Sequence, residues 1–501
     1  MKRILLVTIV MGAFAGQWIS AGEKELDEAV KDRSVGGVTR DIENPGHPIV
    51  SAGLRGPTIT DAALACLEGV DHLQKLELNG TSVTDAGLTH LKRLPELHTL
   101  TLVGTQITGA GLENLKSLPE LKTLWLIKTP VTAAGLSRLK QVSQLQTLHL
   151  VNCRELRSSL VLDDWKLRGA VLDCLKQMPN LQSLWLEGDN ITDLTLAHLQ
   201  GMPRLKLLVL ANVDVTGGGL VYLKGVVPLK TLYLDRAFRH DDKEIDALRD
   251  VPQIEELYWI YGFVHDDALK RFANLRQLRL LCVASRAWRR VDSRDVFGGW
   301  NRRYPSKIGN TEFHGSELVR RIGLPELQAA YVNNNAGMTL GGFERLKGLA
   351  NLQVLFLADT KVTDAGLAHI KDLRELREFS LSRENVTDAG LAHLTDLAHL
   401  RILDMIATPV TDTGLEQLQD MKRLRVLVLA GKGISDAGLR HLKGLTSLTT
   451  LALHSRFVTE AGLAHLAGLT KLDTLYIADM DSLRSPIFDE LAKALPELVD
   501  Q

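Results

Sequence analysis

The residues best suited to metal or acid–base chemistry are two His-Asp-Asp triplets, His240-Asp241-Asp242 and His265-Asp266-Asp267. An imidazole beside carboxylates could form part of a metal shell if the two triplets met in space. Histidines 90, 198, 369, 393, 441 and 465 each stand two residues after a leucine of the same local pattern. A side chain recurring in one slot marks a structural position rather than a scattered ligand set. Cys66, Cys153, Cys174 and Cys282 form no C-x-x-C and have no zinc spacing. Cys153 and Cys174 would meet only if the chain between them folded back; otherwise the four read as buried thiols. Nucleophile elbows, phosphate loops, H-E-x-x-H and G-x-G-x-x-G are all missing from the chain. The residues therefore nominate no catalytic group, no metal ligand and no cofactor.

The elements that would position these residues follow from a repeat. Units of L-x-x-L-x-L-x-x-T-x-V-T-D-A-G-L-x-x-L-x-x-L-x-x begin at Leu73, Leu97, Leu121 and Leu145. They resume at Leu181, Leu205 and Leu229, and again at Leu352, Leu376, Leu400, Leu424, Leu448 and Leu472. Within a block the step is 24 residues. The triplet at His265 lies in VHDDAL, in register with VTDAGL, so it reads as a variant turn. Alternation at Leu76, Glu77 and Leu78 has a strand's period, while Leu88, Leu91 and Leu94 are spaced as a short inward-facing helix requires. Thr84 is placed to cap that helix, and Asp85 puts negative charge at its N-terminus. No unit can bury its own leucine ridge, so neighbours must stack.

The repeat resembles the leucine-rich-repeat family from about residue 49 to 498, and its V-T-D-A-G-L segment is similar to exported bacterial members. More distantly it resembles the repeats of F-box receptors, which bind a protein substrate, although residues 22–48 are too short and polar for an F-box. The resemblance implies an α/β leucine-rich-repeat solenoid, a curved horseshoe. A parallel sheet would line its concave face, with short helices on the convex face.

Interruptions divide the array. About twelve residues are inserted near 156–167, and the units from Leu229, Ile254 and Leu275 are spaced irregularly, by 25 and then 21. The expected organisation is a signal peptide at 1–21, a lead-in at 22–48, repeats at 49–280, an island at 281–326, repeats at 327–484 and a closing helix at 485–501. The island carries nine Lys and Arg against five acids. Within it Trp288, Arg289, Arg290, Trp300, Arg302 and Arg303 interleave rings with cations, a composition suited to an acidic or glycan ligand.

The residue between the two strand leucines should face away from the core. Read unit by unit, this row includes Trp125, His149, Trp185, Tyr233, Tyr258, Arg279, Tyr331 and Phe356. Aromatics are 5% of the chain, yet seven of the sixteen row positions are Trp, Tyr or Phe. Exposed rings at the centre of a surface are the usual anchors of binding. The competing reading is that flat rings simply pack on one another across a parallel sheet.

Lys2-Arg3, an apolar run over 4–16 and Ala21 before a charged segment read as a cleaved export signal. Thirteen apolar residues fall short of the roughly 20 that a membrane-spanning helix needs, so no membrane insertion is expected after cleavage. A formal charge of −1 gives no global attraction to nucleic acid. The sequence thus points to an exported, non-enzymatic scaffold that binds a protein through the concave face and the island. A cell-wall or extracellular glycan is the alternative ligand, and a hydrolase centred in the island is the remaining one.

Overall fold

From Leu73 to Leu94 one repeat shows how the leucines are buried. Leu73, Leu76, Leu78, Leu88, Leu91 and Leu94 are all fully enclosed, and each such side chain contributes about 1.5–3 kcal/mol of transfer free energy. Leu76 and Leu78 enter the core from a five-residue strand whose Glu77 points outward. Leu88 and Leu91 enter from Gly87–Arg93, which is a 3-10 helix. Leucines three apart align on one side of a helix with three residues per turn, although the same spacing at Leu415 and Leu418 lies in an α-helix, Asp412–Leu418.

This is a computed structural model. It describes residues 35–41, 44, 46–153, 175–188, 191–235, 247–260, 275, 277–284, 327–333, 349, 351–358, 360, 362–382, 384–430, 433–478 and 495. The island from 285 onward, both His-Asp-Asp triplets, the insertion at 156–167, Cys174, the expected signal segment and the expected closing helix, apart from residue 495, lie outside the described residues.

The chain forms two units, Met1–Tyr233 with Ala237–Arg239, and Leu234–Arg236 with His240–Gln501. In the first, β1 (Val35–Arg40) pairs antiparallel with β2 (Ile49–Arg55). Parallel pairing then runs through β3 (Lys75–Asn79), β4 (Thr99–Val103), β5 (Thr123–Ile127), β6 (Thr147–Val151), β7 (Ser183–Glu187) and β8 (Leu207–Ala211). Thr231, at the start of β9 (Thr231–Asp235), donates its N–H to the Lys206 carbonyl. In the second unit, parallel pairing joins β10 (Glu256–Ile260), β11 (Leu280–Ala284), β12 (Ala329–Asn333), β13 (Val354–Ala358) and β14 (Glu378–Ser382). It continues through β15 (Ile402–Ile406), β16 (Val426–Ala430), β17 (Thr450–His454) and β18 (Thr474–Ala478).

The aspartate of V-T-D-A-G-L does more than charge its own helix. Asp61 accepts from the Thr84 N–H and hydroxyl at 2.7 and 2.6 Å, and Asp388 makes the same pair of bonds to Thr411. Asp364, Asp412 and Asp436 repeat the contact on Thr387, Ser435 and Thr459. Each carboxylate therefore binds the cap residue of the following repeat. The glycine three positions after that cap residue is the steric counterpart, since a Cβ on Gly438 would collide with the Asp412 carboxylate. Capping by the hydroxyl is present as the sequence suggests: Thr132 accepts from the Gly135 N–H, and Ser435 from that of Ala437. Thr84 itself accepts from Ala86 at 3.2 Å, one residue ahead of the helix.

One sequence expectation requires correction. In β11, Cys282 lies opposite Tyr258 and Tyr331, so the unit begins at Leu278, a full 24 residues after Ile254, rather than at Leu275. Leu275, Leu278 and Leu280 also satisfy L-x-x-L-x-L, and the apolar pattern alone could not separate the two registers. Cys153 is a free, buried thiol, as its sequence reading expects. Its Sγ donates to the Leu126 carbonyl at 3.3 Å and lies 3.5 Å from the Thr129 hydroxyl. Burial raises its pKa against the opposing effect of hydrogen bonds with Thr129 and the Val151 backbone.

Candidate recognition face

Strand alternation turns Trp125, His149, Trp185 and Tyr233 onto the sheet face opposite the leucine core. β5, β6 and β7 place the first three directly opposite one another. The Trp125 and His149 rings are parallel, with centroids 3.3 Å apart and planes 7° apart. His149 lies 5.3 Å from Trp185 at 36°, and Trp185 lies 6.4 Å from Tyr233 at 27°. Between the last two, Val209 is buried, so the rings meet above a short side chain. Trp125, Trp185 and Tyr233 are half-buried and His149 is only 8% exposed. The row is thus a stacked file of rings packed on one another.

Burial pushes the His149 imidazole down to about 3. His149 is therefore neutral near pH 7, and the file carries no charge. His149 Nδ1 and Trp185 Nε1 are buried with no hydrogen-bond partner among the described residues. The columns flanking the file are chemically distinct. One consists of Thr99, Thr123, Thr147 and Ser183, the other of Val103, Ile127, Val151 and Glu187. The Glu187 carboxylate accepts from the Asn152 amide at 3.2 Å and the Asn212 amide at 3.3 Å. Both asparagines adopt positive φ, near 50°, in the turns that follow their strands, a conformation in which Asn is enriched.

In the second unit the row contains Tyr258, Cys282, Tyr331 and Phe356, in register from β10 to β13. Tyr258 and Phe356 are half-buried. Cys282 is enclosed, and burial pushes its thiol up to about 12, so it is an inert part of the row. Arg279 is not in the row. It precedes β11 and pairs with Glu255 at 3.2 Å. Further along, Val426, Val428, Ala430 and Ala452 form a small apolar cluster on β16 and β17, with Ile402, Ile406 and Tyr476 packed against it. Trp288, Arg289, Arg290, Trp300, Arg302 and Arg303 lie outside the described residues.

The sequence reading did not anticipate the Asn152–Glu187–Asn212 cluster, because its members come from two turns and a strand end, 35 and 25 residues apart. Glutamate at the last strand position was the available signal. Among the described residues, no group of three or more His, Cys, Asp or Glu is placed to hold a metal ion, and no helix is long and apolar enough to cross a membrane.

No protein-family model matches the chain, and the search of curated proteins found no match. Several solved structures are similar to it. TLR13 in complex with ssRNA13 is 18% identical over 87% of this chain and 72% of its own, with a TM-score of 0.52. An internalin from Listeria monocytogenes is 17% identical over 86% and 87% of the two chains, with a TM-score of 0.37. A leucine-rich-repeat protein from Leptospira interrogans is 15% identical over 86% and 96%, with a TM-score of 0.42. The 24-residue register of parallel strands and short helices, together with the TLR13 likeness, shows that this chain has the leucine-rich-repeat fold.

Proposed function

We propose that this chain is an exported, non-catalytic binding scaffold that holds a partner protein. The ring file of the first unit would be its anchor, and the island at 281–326 a second contact. One observation carries the reading: four rings from separate repeats converge on one sheet face, where the fold needs only small or polar residues. Rings already stacked lose little freedom on binding and offer a preformed apolar strip. The TLR13 structure contains RNA, but the outward positions of β4 to β8 include no Lys or Arg. Neutralising phosphates requires such cations, so a protein surface is the better match. The leader at 1–21 and the repeats resembling exported proteins support an extracytoplasmic setting.

The test is affinity capture from the envelope of an exporting host, with residues 22–501 as bait. A specific protein should be retained by the wild type, and deletion of 286–322 should weaken it most. Substitution of Trp125, Trp185 and Tyr233 by Ala should lower retention about tenfold or more, as for central aromatic anchors. Equal retention by wild type and all variants would sink the proposal. Turnover on an ester, glycoside or peptide panel would replace it with the hydrolase reading.

A further inference from the structure

The ring file ends abruptly at Trp125. Its His149 side is covered by a parallel ring at 3.3 Å. On the other side the row continues through Thr101, Glu77 and Gly53, each in register with the next. The indole face turned away from His149 therefore meets no ring among the described residues and looks across Thr101 toward Glu77. Thr99 and Thr123 bring hydroxyls to one flank of this step, and Val103 and Ile127 close the other. Thr99, Thr101, Val103, Thr123 and Glu77 are all half-buried. The Glu77 carboxylate is held by Lys75 at 2.7 Å.

We infer that this step, formed by Trp125, Thr101 and Glu77, is a subsite for one neutral pyranose ring of a glycan. The inference rests on the proposed role of the outer sheet face in binding. Two strand spacings, about 10 Å, separate Trp125 from Glu77, and a sugar ring in contact with the indole would stand about 4 Å from it. One pyranose fits between them. Its C–H face covers the indole, while its hydroxyls reach the Thr101 and Thr99 hydroxyls and the Glu77 carboxylate. A leucine or phenylalanine of a protein partner would find only one apolar flank and would desolvate the hydroxyls without pairing them. The Lys75–Glu77 ion pair leaves the step without net charge, which suits an uncharged sugar.

The chemistry is shared by a wall polysaccharide and by a glycan on a protein partner. The probes are neutral cello-, chito-, xylo- and manno-hexaoses, titrated calorimetrically against residues 22–501. At least one should bind. Trp125→Ala should weaken it about tenfold or more by removing the stacking face. Thr101→Trp should do the same by extending the ring file into the step, with the circular dichroism spectrum unchanged. Retention of isolated wall polysaccharide by the wild type but not by T101W identifies the first source. Loss of a captured partner after enzymatic deglycosylation identifies the second. The inference is overturned if no hexaose binds the wild type at millimolar concentration, or if T101W binds as the wild type does. A deglycosylated partner still held equally by the wild type and T101W, with no hexaose bound, overturns the saccharide subsite and leaves the protein-binding scaffold standing.

Discussion

His149 stacks on Trp125 with its Nδ1 buried and without a hydrogen-bond partner among the described residues. A buried polar atom left unpaired costs about 1–3 kcal/mol, and burial also holds the ring neutral down to about pH 3. The unfolded chain takes up that proton near the ordinary value of 6.5. Between these two values the unfolded state binds more protons, so stability falls as pH falls, by about 1.4 kcal/mol per pH unit. His149→Phe keeps the stack and removes the titration. Urea unfolding from pH 7 to pH 4 should show a flatter stability profile for H149F than for the wild type; parallel profiles would contradict the buried neutral imidazole. Asp85 acts in a lower window. Burial opposes its ionisation, but the Thr108 side chain and the backbone N–H groups of Gly111, Gly109 and Thr108 outweigh that and hold it below 3.8. Its contribution is therefore present at pH 5 and is lost as pH drops through its depressed pKa.

At the scale of elements, the V-T-D-A-G-L turn is a joint between repeats. Asp412 binds the Ser435 N–H at 2.7 Å and its hydroxyl at 2.5 Å, and Gly438 lies against the same carboxylate. Asp412→Ala should cost about 2 kcal/mol through the lost charge-assisted bonds. Gly438→Ala should cost about 1–3 kcal/mol through overpacking. The double variant should cost less than the sum, because removing the carboxylate vacates the space that the new methyl needs. Denaturant midpoints for the four proteins check this, and strict additivity would count against the joint. The existence of this element was legible in the spacing of Thr84, Asp85 and Leu88, whereas its partner was not. A carboxylate placed to charge its own helix and one directed at the next repeat have the same local sequence, and only the stacking of repeats separates them. The register at β11 was ambiguous for a similar reason, since two overlapping leucine triplets fit the core equally well and strand pairing decided between them.

At the scale of the whole molecule, export predicts a mature N-terminus at Gly22. Mass spectrometry of protein made in an exporting host should show loss of residues 1–21, and a chain retaining Met1 in the envelope would contradict the reading. The 24-residue repeat fixed the stacking, because a leucine ridge repeated at that interval can be buried only by placing one unit on the next. The family resemblance carried by the same repeat supplied the expected parallel sheet. The same period put Trp125, His149, Trp185 and Tyr233 on one face. Only the tertiary structure decided that these rings lean onto one another, that His149 is enclosed and neutral, and that the Trp125 face toward Thr101 meets no ring among the described residues. Those outcomes depend on side-chain tilt and on the size of neighbours 24 or more residues away, and a one-dimensional pattern carries neither.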